Sequence, residues 1–150
     1  MRVYIDTSII NGLYAQDAHI RKETETFFKH TRIFGYTLYI SEATIEEIEN
    51  TPQEAKRKLL KDIIKDYHME LLSTTEEART LAKKYVEAGL IPKRYVADAF
   101  HIAIAAIYNI PVIVSWNFEH IVKMKTKLGV NAINRKESYP QITICAPQEV

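Results

Sequence analysis

The sequence predicts an α/β fold in which helices cover both faces of a parallel sheet. Two observations predict it. Short β-prone segments alternate with longer helical segments along the whole chain. The β-prone segments are continuously apolar, which is typical of parallel strands buried on both faces. Ligands in such sheets bind beyond the carboxyl ends of the strands, so the residues that follow each strand are the first candidates for a functional site.

In the first half of the chain, two strands each lead into helices. The elements are predicted as a strand over 3–5, a short helical stretch, a helix over about 18–32, a strand over 37–40, and helices over about 42–50 and 52–67. Ser41 is the predicted N-cap of the third helix, with Ile40 and Ile45 as a hydrophobic staple around it. Thr51-Pro52 ends that helix and begins the next.

The second half continues the alternation. A capping box formed by Thr74 and Glu77 predicts a helix to about residue 87, with Gly89 just beyond its end. Pro92 is predicted to open a second helix, to about residue 108. The remaining predictions are short extended pieces at 70–72, 130–133 and 142–144, a strand at 112–114, and a helix from the cap Asn117 to about Leu128, ended by Gly129.

Composition excludes several classes of protein. The chain has 150 residues, the length of one domain, so we treat 1–150 as a single domain. Its one cysteine, Cys145, excludes an internal disulfide and a cysteine-rich zinc site, and a reducing cytoplasm is the expected compartment. The net charge of +1 excludes a generally basic coat for nucleic acid. No apolar run reaches the ~20 residues of a membrane span, so we expect no membrane partner.

Two aspartates are the first candidates for a site. Asp6 directly follows the first strand and precedes Thr7 and Ser8, a position that equally suits a helix N-cap. Asp98 lies in a helix that is apolar nearly all round, which predicts burial. A buried carboxylate is costly unless a cation compensates its charge. The candidates for that cation are His101, a lysine or arginine from elsewhere, and a metal ion.

Polar side chains also follow two other predicted strands. The helix after the second strand carries Glu46 and Glu47, which lie equally far from its inward face on opposite sides, so periodicity does not choose between them. Ser115 and Asn117 follow a buried strand, and Asn117 also fits a helix N-cap. Taken singly, each of these residues is explained by a solvated surface or a cap.

Together these residues predict a metal site at one edge of the sheet. Three carboxylates and an amide or hydroxyl, each from a different strand–helix unit, would converge there. Carboxylates so close repel one another, and a hard divalent cation resolves the repulsion. Oxygen ligands favour Mg²⁺ or Mn²⁺ over zinc. Such a metal lowers the pKa of bound water and stabilises an in-line displacement, so the expected chemistry is phosphodiester hydrolysis.

Four segments resemble the PIN domain family, and in particular the toxin nucleases of VapBC-type toxin–antitoxin pairs. They occur along the chain in the same order as in that family. The two most distinctive are ADAFHIA at 97–103 and SWNFEHI at 115–121; the others are VYIDTS at 3–8 and the stretch at 40–48. The resemblance implies a three-layer α/β/α sandwich with a central parallel sheet. It also implies an endoribonuclease that depends on Mg²⁺ or Mn²⁺ and acts as a toxin.

The resemblance also transfers site residues. These are Asp6, Glu47, Asp98 and Asn117 as catalytic and metal-binding residues. Ser115, a polar residue that follows the same buried strand as Asn117, is the predicted substrate contact. Glu47 is chosen because the family's glutamate directly precedes the aliphatic residue matched by Ile48, with Glu46 as the alternative. Asn117 stands where the family often has an aspartate. Its amide oxygen can ligate a metal but contributes no charge.

Partners follow from the same resemblance. The expected substrate is RNA, single-stranded, guided to the acids by cations such as Lys93-Arg94 and Lys123. A homodimer and an antitoxin protein are the expected protein partners. Tyr95 or Trp116 could stack on a base, although a core position is the favoured interpretation of both. The alternative function is a catalytically silent PIN module that binds RNA or a partner protein, since Asn117 removes one charge from the site.

Overall fold

Five parallel strands form the centre of the computed structural model, which describes residues 1–150. They are β1 (Arg2–Ile5), β2 (Thr37–Ser41), β3 (Glu70–Leu72), β4 (Val112–Val114) and β5 (Thr143–Cys145). Their order across the sheet is β3-β2-β1-β4-β5. The first strand of the chain is therefore the central one, and the residue after it lies between the ends of β2 and β4.

Seven helices cover this sheet. They are α1 (Thr7–Gly12), α2 (Ala18–Ile33), α3 (Glu42–Glu49), α4 (Glu54–Asp66), α5 (Glu76–Glu87), α6 (Val96–Ile107) and α7 (Met124–Lys136). Two short 3-10 helices, Lys93–Tyr95 and Pro147–Glu149, lie before α6 and at the end of the chain. None of the helices combines the length and the apolar composition that a bilayer crossing requires.

Successive side chains of β1 point to opposite faces of the sheet and so belong to two separate halves of the core. Tyr4 packs on one face of the sheet with buried residues of α5, α6 and α7. Its neighbours Val3 and Ile5 pack on the other face with residues of α1 to α4. All three side chains are fully buried. The predicted three-layer α/β/α sandwich around a parallel sheet is thus confirmed, with one helical layer on each face.

Three helix boundaries differ from the prediction. Helix α4 begins at Glu54 after the N-cap Gln53, and not at Pro52. Thr75, and not Thr74, caps α5: its hydroxyl accepts the backbone N–H of Ala78 at 3.1 Å. The N–H of Thr74 donates instead to Glu42 Oε2 at 2.9 Å, a contact that local spacing does not contain. Pro92 precedes a turn of 3-10 helix, and regular α6 begins only at Val96.

The prediction for the segment after β4 is wrong in part. Asn117 does act as a cap, since its Oδ1 accepts the N–H of His120 at 2.9 Å, but it closes a turn and not a helix. The helix α7 begins at Met124 and continues through Gly129, so the predicted strand at 130–133 is helical. Gly129 is there for packing: a Cβ at this position would lie 2.3 Å from a methyl carbon of Leu90.

Candidate active site

Asp6 lies in a cradle of two serines at the carboxyl end of β1. Its Oδ1 accepts the backbone N–H of Ser8 at 3.1 Å and the Ser8 hydroxyl at 2.5 Å. Its Oδ2 accepts the hydroxyl of Ser115 at 2.6 Å. Because Ile5 pairs with Val114 in the sheet, the residues that leave β1 and β4 emerge side by side. The carboxylate is therefore fixed from two neighbouring strands and only 4% exposed.

The backbone after β4 completes this cradle. The N–H of Trp116 donates to Ser8 Oγ at 2.8 Å, and the N–H of Asn117 donates to Ser115 Oγ at 2.9 Å. Burial raises the pKa of Asp6, and the charge of Glu47 raises it further. The charge of His101 and the two serine hydrogen bonds act in the opposite direction without cancelling the shift.

Glu47 is held by a histidine of the neighbouring helix. Its Oε1 lies 2.6 Å from Nε2 of His101, which projects from α6. The other ring nitrogen, Nδ1, lies 2.6 Å from the hydroxyl of Tyr4, and that hydroxyl lies 2.8 Å from Oγ of Ser41. Burial by itself lowers the pKa of His101, but the hydrogen bond to Glu47 and the nearby carboxylate charges outweigh it and raise the pKa.

Asp98 has two partners from the loop after β4. Its Oδ2 accepts the side-chain Nδ2 of Asn117 at 3.1 Å and lies 3.0 Å from Nδ1 of His120. The ring of Tyr95 lies against His120, with ring centroids 4.3 Å apart. The alternative pair of Asp98 with His101 does not form, because His101 turns to Tyr4 and Glu47. The cation beside Asp98 is thus His120 when protonated.

The structure brings the predicted residues to one edge of the sheet with some changes in their contacts. Glu47 contacts the buried His101, whereas Glu46 is exposed. Ser115 was expected to meet substrate, but it is fully buried and bonded to Asp6. Asn117 was expected to offer its oxygen to a metal. That oxygen caps a turn instead, and the amide nitrogen faces Asp98.

The sequence did not predict the roles of three further residues of the site. His101 was predicted only as a partner for Asp98, and His120 was not singled out, although Asp98 called for a cationic neighbour. Tyr95 was predicted mainly as a core residue, but the residue is 38% exposed. Trp116 is half-buried at the margin of the core and not within it, and its indole N–H donates to Thr24 Oγ1 at 2.9 Å.

The side chains at this edge include the oxygen donors that a hard divalent cation prefers. The donors are carboxylate oxygens, and none of Asp6, Glu47 and Asp98 forms an ion pair with a lysine or arginine. The adjacent Thr7 Oγ1 is buried without a hydrogen-bond partner. No three His, Cys, Asp or Glu side chains lie close enough to hold a metal alone. An ion here would keep most of its waters, which is the habit of Mg²⁺.

Comparison with known proteins decides the family. A family model described as PIN domain matches residues 3–121. The chain belongs to the PIN domain family. PIN domains are generally nucleases and generally use divalent metals. The match covers all the acids of the site and ends at Ile121, before α7.

A solved structure shares this PIN fold over its whole length. It is VapBC2 from Rickettsia felis bound to a DNA fragment from their promoter, with 14% sequence identity and a TM-score of 0.61. The alignment covers 97% of this chain and 98% of the other. At that identity the likeness concerns the fold alone. A comparison with curated proteins finds no match.

Proposed function

We propose that this PIN domain is a metal-dependent endoribonuclease that acts as the toxin of a type II toxin–antitoxin pair. One observation carries the proposal. Asp6, Glu47 and Asp98 come from three separate parts of the chain, and each is bonded to serine or histidine partners and to no lysine or arginine. Acids arranged in this way stay available to a cation, whereas structural acids are usually neutralised by a permanent positive charge.

The three acids would hold the metal, and the remaining polar residues would orient the acids. Mg²⁺ or Mn²⁺, when bound, supplies an activated water and stabilises charge on the phosphate. Ser8 and Ser115 fix Asp6 from both sides, and Asn117 and His120 both contact the same oxygen of Asp98. We therefore assign Asn117 and Ser115 positioning roles, in place of the ligand and substrate contact that the sequence suggested.

An exposed aromatic ring beside the acids supports single-stranded RNA as the substrate. Tyr95 lies on His120, which reaches Asp98, and the guanidinium of Arg94 lies 5.2 Å from the Tyr95 ring centroid. A partly exposed ring next to a cation can stack a splayed base and attract its phosphate. Lys93 adds a second positive charge next to Arg94 in the sequence.

The toxin role, an antitoxin partner and a homodimer belong to the same proposal. Their support is the PIN family match together with the likeness in fold to VapBC2. A cytoplasmic location agrees with a buried, unpaired Cys145. Copurification with a candidate antitoxin and light scattering of the purified chain test the two protein partners directly.

A second candidate function is a silent PIN module that binds RNA without cleaving it. Two observations favour it: no ready-made metal cage is present, and Asn117 replaces an acid at the site. Binding with no cleavage, at any concentration of Mg²⁺ or Mn²⁺, distinguishes it from the nuclease.

The decisive experiment incubates the purified chain with end-labelled single-stranded RNA and Mg²⁺ or Mn²⁺. We expect cleavage that stops with EDTA and is lost in Asp98→Asn, a variant of nearly the same shape without the charge. Lys58→Ala, an exposed change on α4, serves as the matched control and should cleave normally. Cleavage that survives both EDTA and Asp98→Asn would overturn the proposal.

A further inference from the structure

A chain of hydrogen bonds leads from the interior of the sheet to Glu47. His101 is 1% exposed and lies between the hydroxyl of Tyr4 and the carboxylate of Glu47, at 2.6 Å from each. The Tyr4 hydroxyl in turn meets Ser41 at 2.8 Å. The side chain of Glu47, in contrast, is 40% exposed. These hydrogen bonds therefore connect Glu47, an acid that faces solvent, to Tyr4 on the central strand.

The chemistry of these groups fixes the direction of the last bond. A carboxylate only accepts, so Nε2 of His101 carries the proton that Glu47 receives, whether the ring is neutral or charged. In the neutral ring Nδ1 accepts from the Tyr4 hydroxyl, whose oxygen can then accept from Ser41. The buried ring nitrogens of His101 and the hydroxyls of Tyr4 and Ser41 thereby all have partners, which is what burial demands.

Stability alone does not explain a histidine at this position. The helix around it is apolar, and the neighbours Ile102 and Ala103 are fully buried. A buried polar pair is generally no more stable than apolar side chains of the same shape. The histidine does what an apolar residue cannot, since it orients an acid whose exposed side chain would otherwise sample several rotamers.

We propose that His101 is a positioning residue, which together with Tyr4 holds Glu47 so that its second oxygen points to the cation. The inference rests on the proposed function, since it needs Glu47 to serve a metal. His101 binds Oε1, which leaves Oε2 without a hydrogen-bond partner in the protein. Partners of this kind, behind a metal ligand, typically change metal affinity or activity by 10- to 100-fold when removed.

Two amide substitutions provide a matched test on the full chain. The amide nitrogen of His101→Gln can take the place of Nε2 and donate to Glu47. The amide of His101→Asn takes the place of Nδ1 and reaches only Tyr4. Both keep a polar side chain of similar size in the same helix. The readout is Mn²⁺ binding, measured from the electron paramagnetic resonance signal of free Mn²⁺, with thermal unfolding as the check on folding.

We expect His101→Asn to weaken Mn²⁺ binding about tenfold or more and His101→Gln to bind within about threefold of wild type. In a Glu47→Ala background, where there is no carboxylate to orient, His101→Asn should change binding less than about twofold. Equal binding by wild type and a folded His101→Asn would overturn the inference, as would the same loss in both backgrounds. If His101→Asn does not fold, Tyr4→Phe decides, and unchanged Mn²⁺ binding in that variant would overturn it.

The same measurements separate this inference from the proposed function. If wild type binds Mn²⁺ without cleaving RNA and His101→Asn binds Mn²⁺ more weakly, the nuclease proposal is overturned and the positioning role is supported. Wild type that binds and cleaves, with no effect of His101→Asn, sinks only the positioning role. Wild type that binds no Mn²⁺ overturns both.

Discussion

Ser115 donates its hydroxyl proton to Asp6 across 2.6 Å, and its oxygen accepts the N–H of Asn117 at 2.9 Å. The hydrogen bond to Asp6 favours the charged carboxylate and holds its pKa down against the effect of burial. Ser115→Ala removes that bond, so the pKa of Asp6 rises. The acidic limb of the pH profile of kcat/KM for RNA cleavage should then move to higher pH. Ser73→Ala, at an exposed position, is the control, and an unmoved limb in Ser115→Ala would contradict the prediction.

Asp6→Asn should stabilise the protein in EDTA while abolishing cleavage. The pKa of Asp6 is raised in the fold, chiefly by burial. The wild type therefore loses stability as the pH rises from about 3.9, the unfolded value, through the folded pKa. Asp6→Asn avoids this loss, so its Tm should exceed that of wild type at pH 7 and the gap should shrink towards pH 4. Adding Mn²⁺ should raise the Tm of wild type alone. A lower Tm for Asp6→Asn in EDTA would count against the argument.

Tyr95→Ala should weaken RNA binding more than it slows the chemistry. Loss of an aromatic platform costs about 1–3 kcal/mol per stacked base, so KM should rise while kcat changes little. Tyr95→Phe keeps the ring and serves as the control. A substrate that lacks bases should not distinguish the variants. A fall in kcat with unchanged KM would mean that Tyr95 acts through its contact with His120.

Gly12→Ala should destabilise the protein by about 1–3 kcal/mol, the usual cost of overpacking. A Cβ on Gly12 would lie 2.5 Å from Thr24 Oγ1 and 3.1 Å from the indole nitrogen of Trp116. Urea unfolding measures the loss. Thr24→Ala removes the nearest of these atoms and leaves only the contact with Trp116, so the double variant should lose less than the sum of the two single variants. Strict additivity would show that the close contact is unimportant.

Cys145 should be unreactive in the folded protein. Burial is the main reason that the pKa of its thiol is raised to about 11, so little thiolate is present at neutral pH. The residue is also only 5% exposed. A thiol reagent such as Ellman's should label one equivalent in denaturant and almost none under native conditions. Rapid labelling of the native chain would show that the edge strand β5 opens.

The fold could be predicted because its strands are recognisable from the amino acids that compose them. Val3 to Ile5 and Val112 to Val114 are apolar at every position, which is typical of a strand buried on both faces. Gly129 shows where this reasoning fails. A glycine after a helical pattern usually marks its end, but this glycine accommodates Leu90 from a distant part of the chain. Local sequence does not contain that contact.

Asp6 and Asp98 could be singled out as candidate site acids from the sequence, whereas periodicity did not choose between Glu46 and Glu47, and the histidine contacts of these acids could not be predicted. Asp6 follows a strand directly, and Asp98 stands out in an apolar helix. The partners of His101 are 54 and 97 residues away along the chain. Nothing in the spacing on α6 selects them over Asp98, three residues away. The choice depends on how α6 rotates against the sheet, which only the packed structure determines.

The central strand has a consequence for how this protein tolerates change in length. Tyr4 faces one helical layer while Val3 and Ile5 face the other, and Asp6 follows at once. Deleting or inserting a single amino acid within 2–5 would exchange the two faces of the strand. The phenol of Tyr4 and the carboxylate of Asp6 would then lose their present contacts. A similar change at the exposed turn near residue 16 should be harmless by comparison. Variation in length among natural relatives is therefore expected in the connections and not in this short segment.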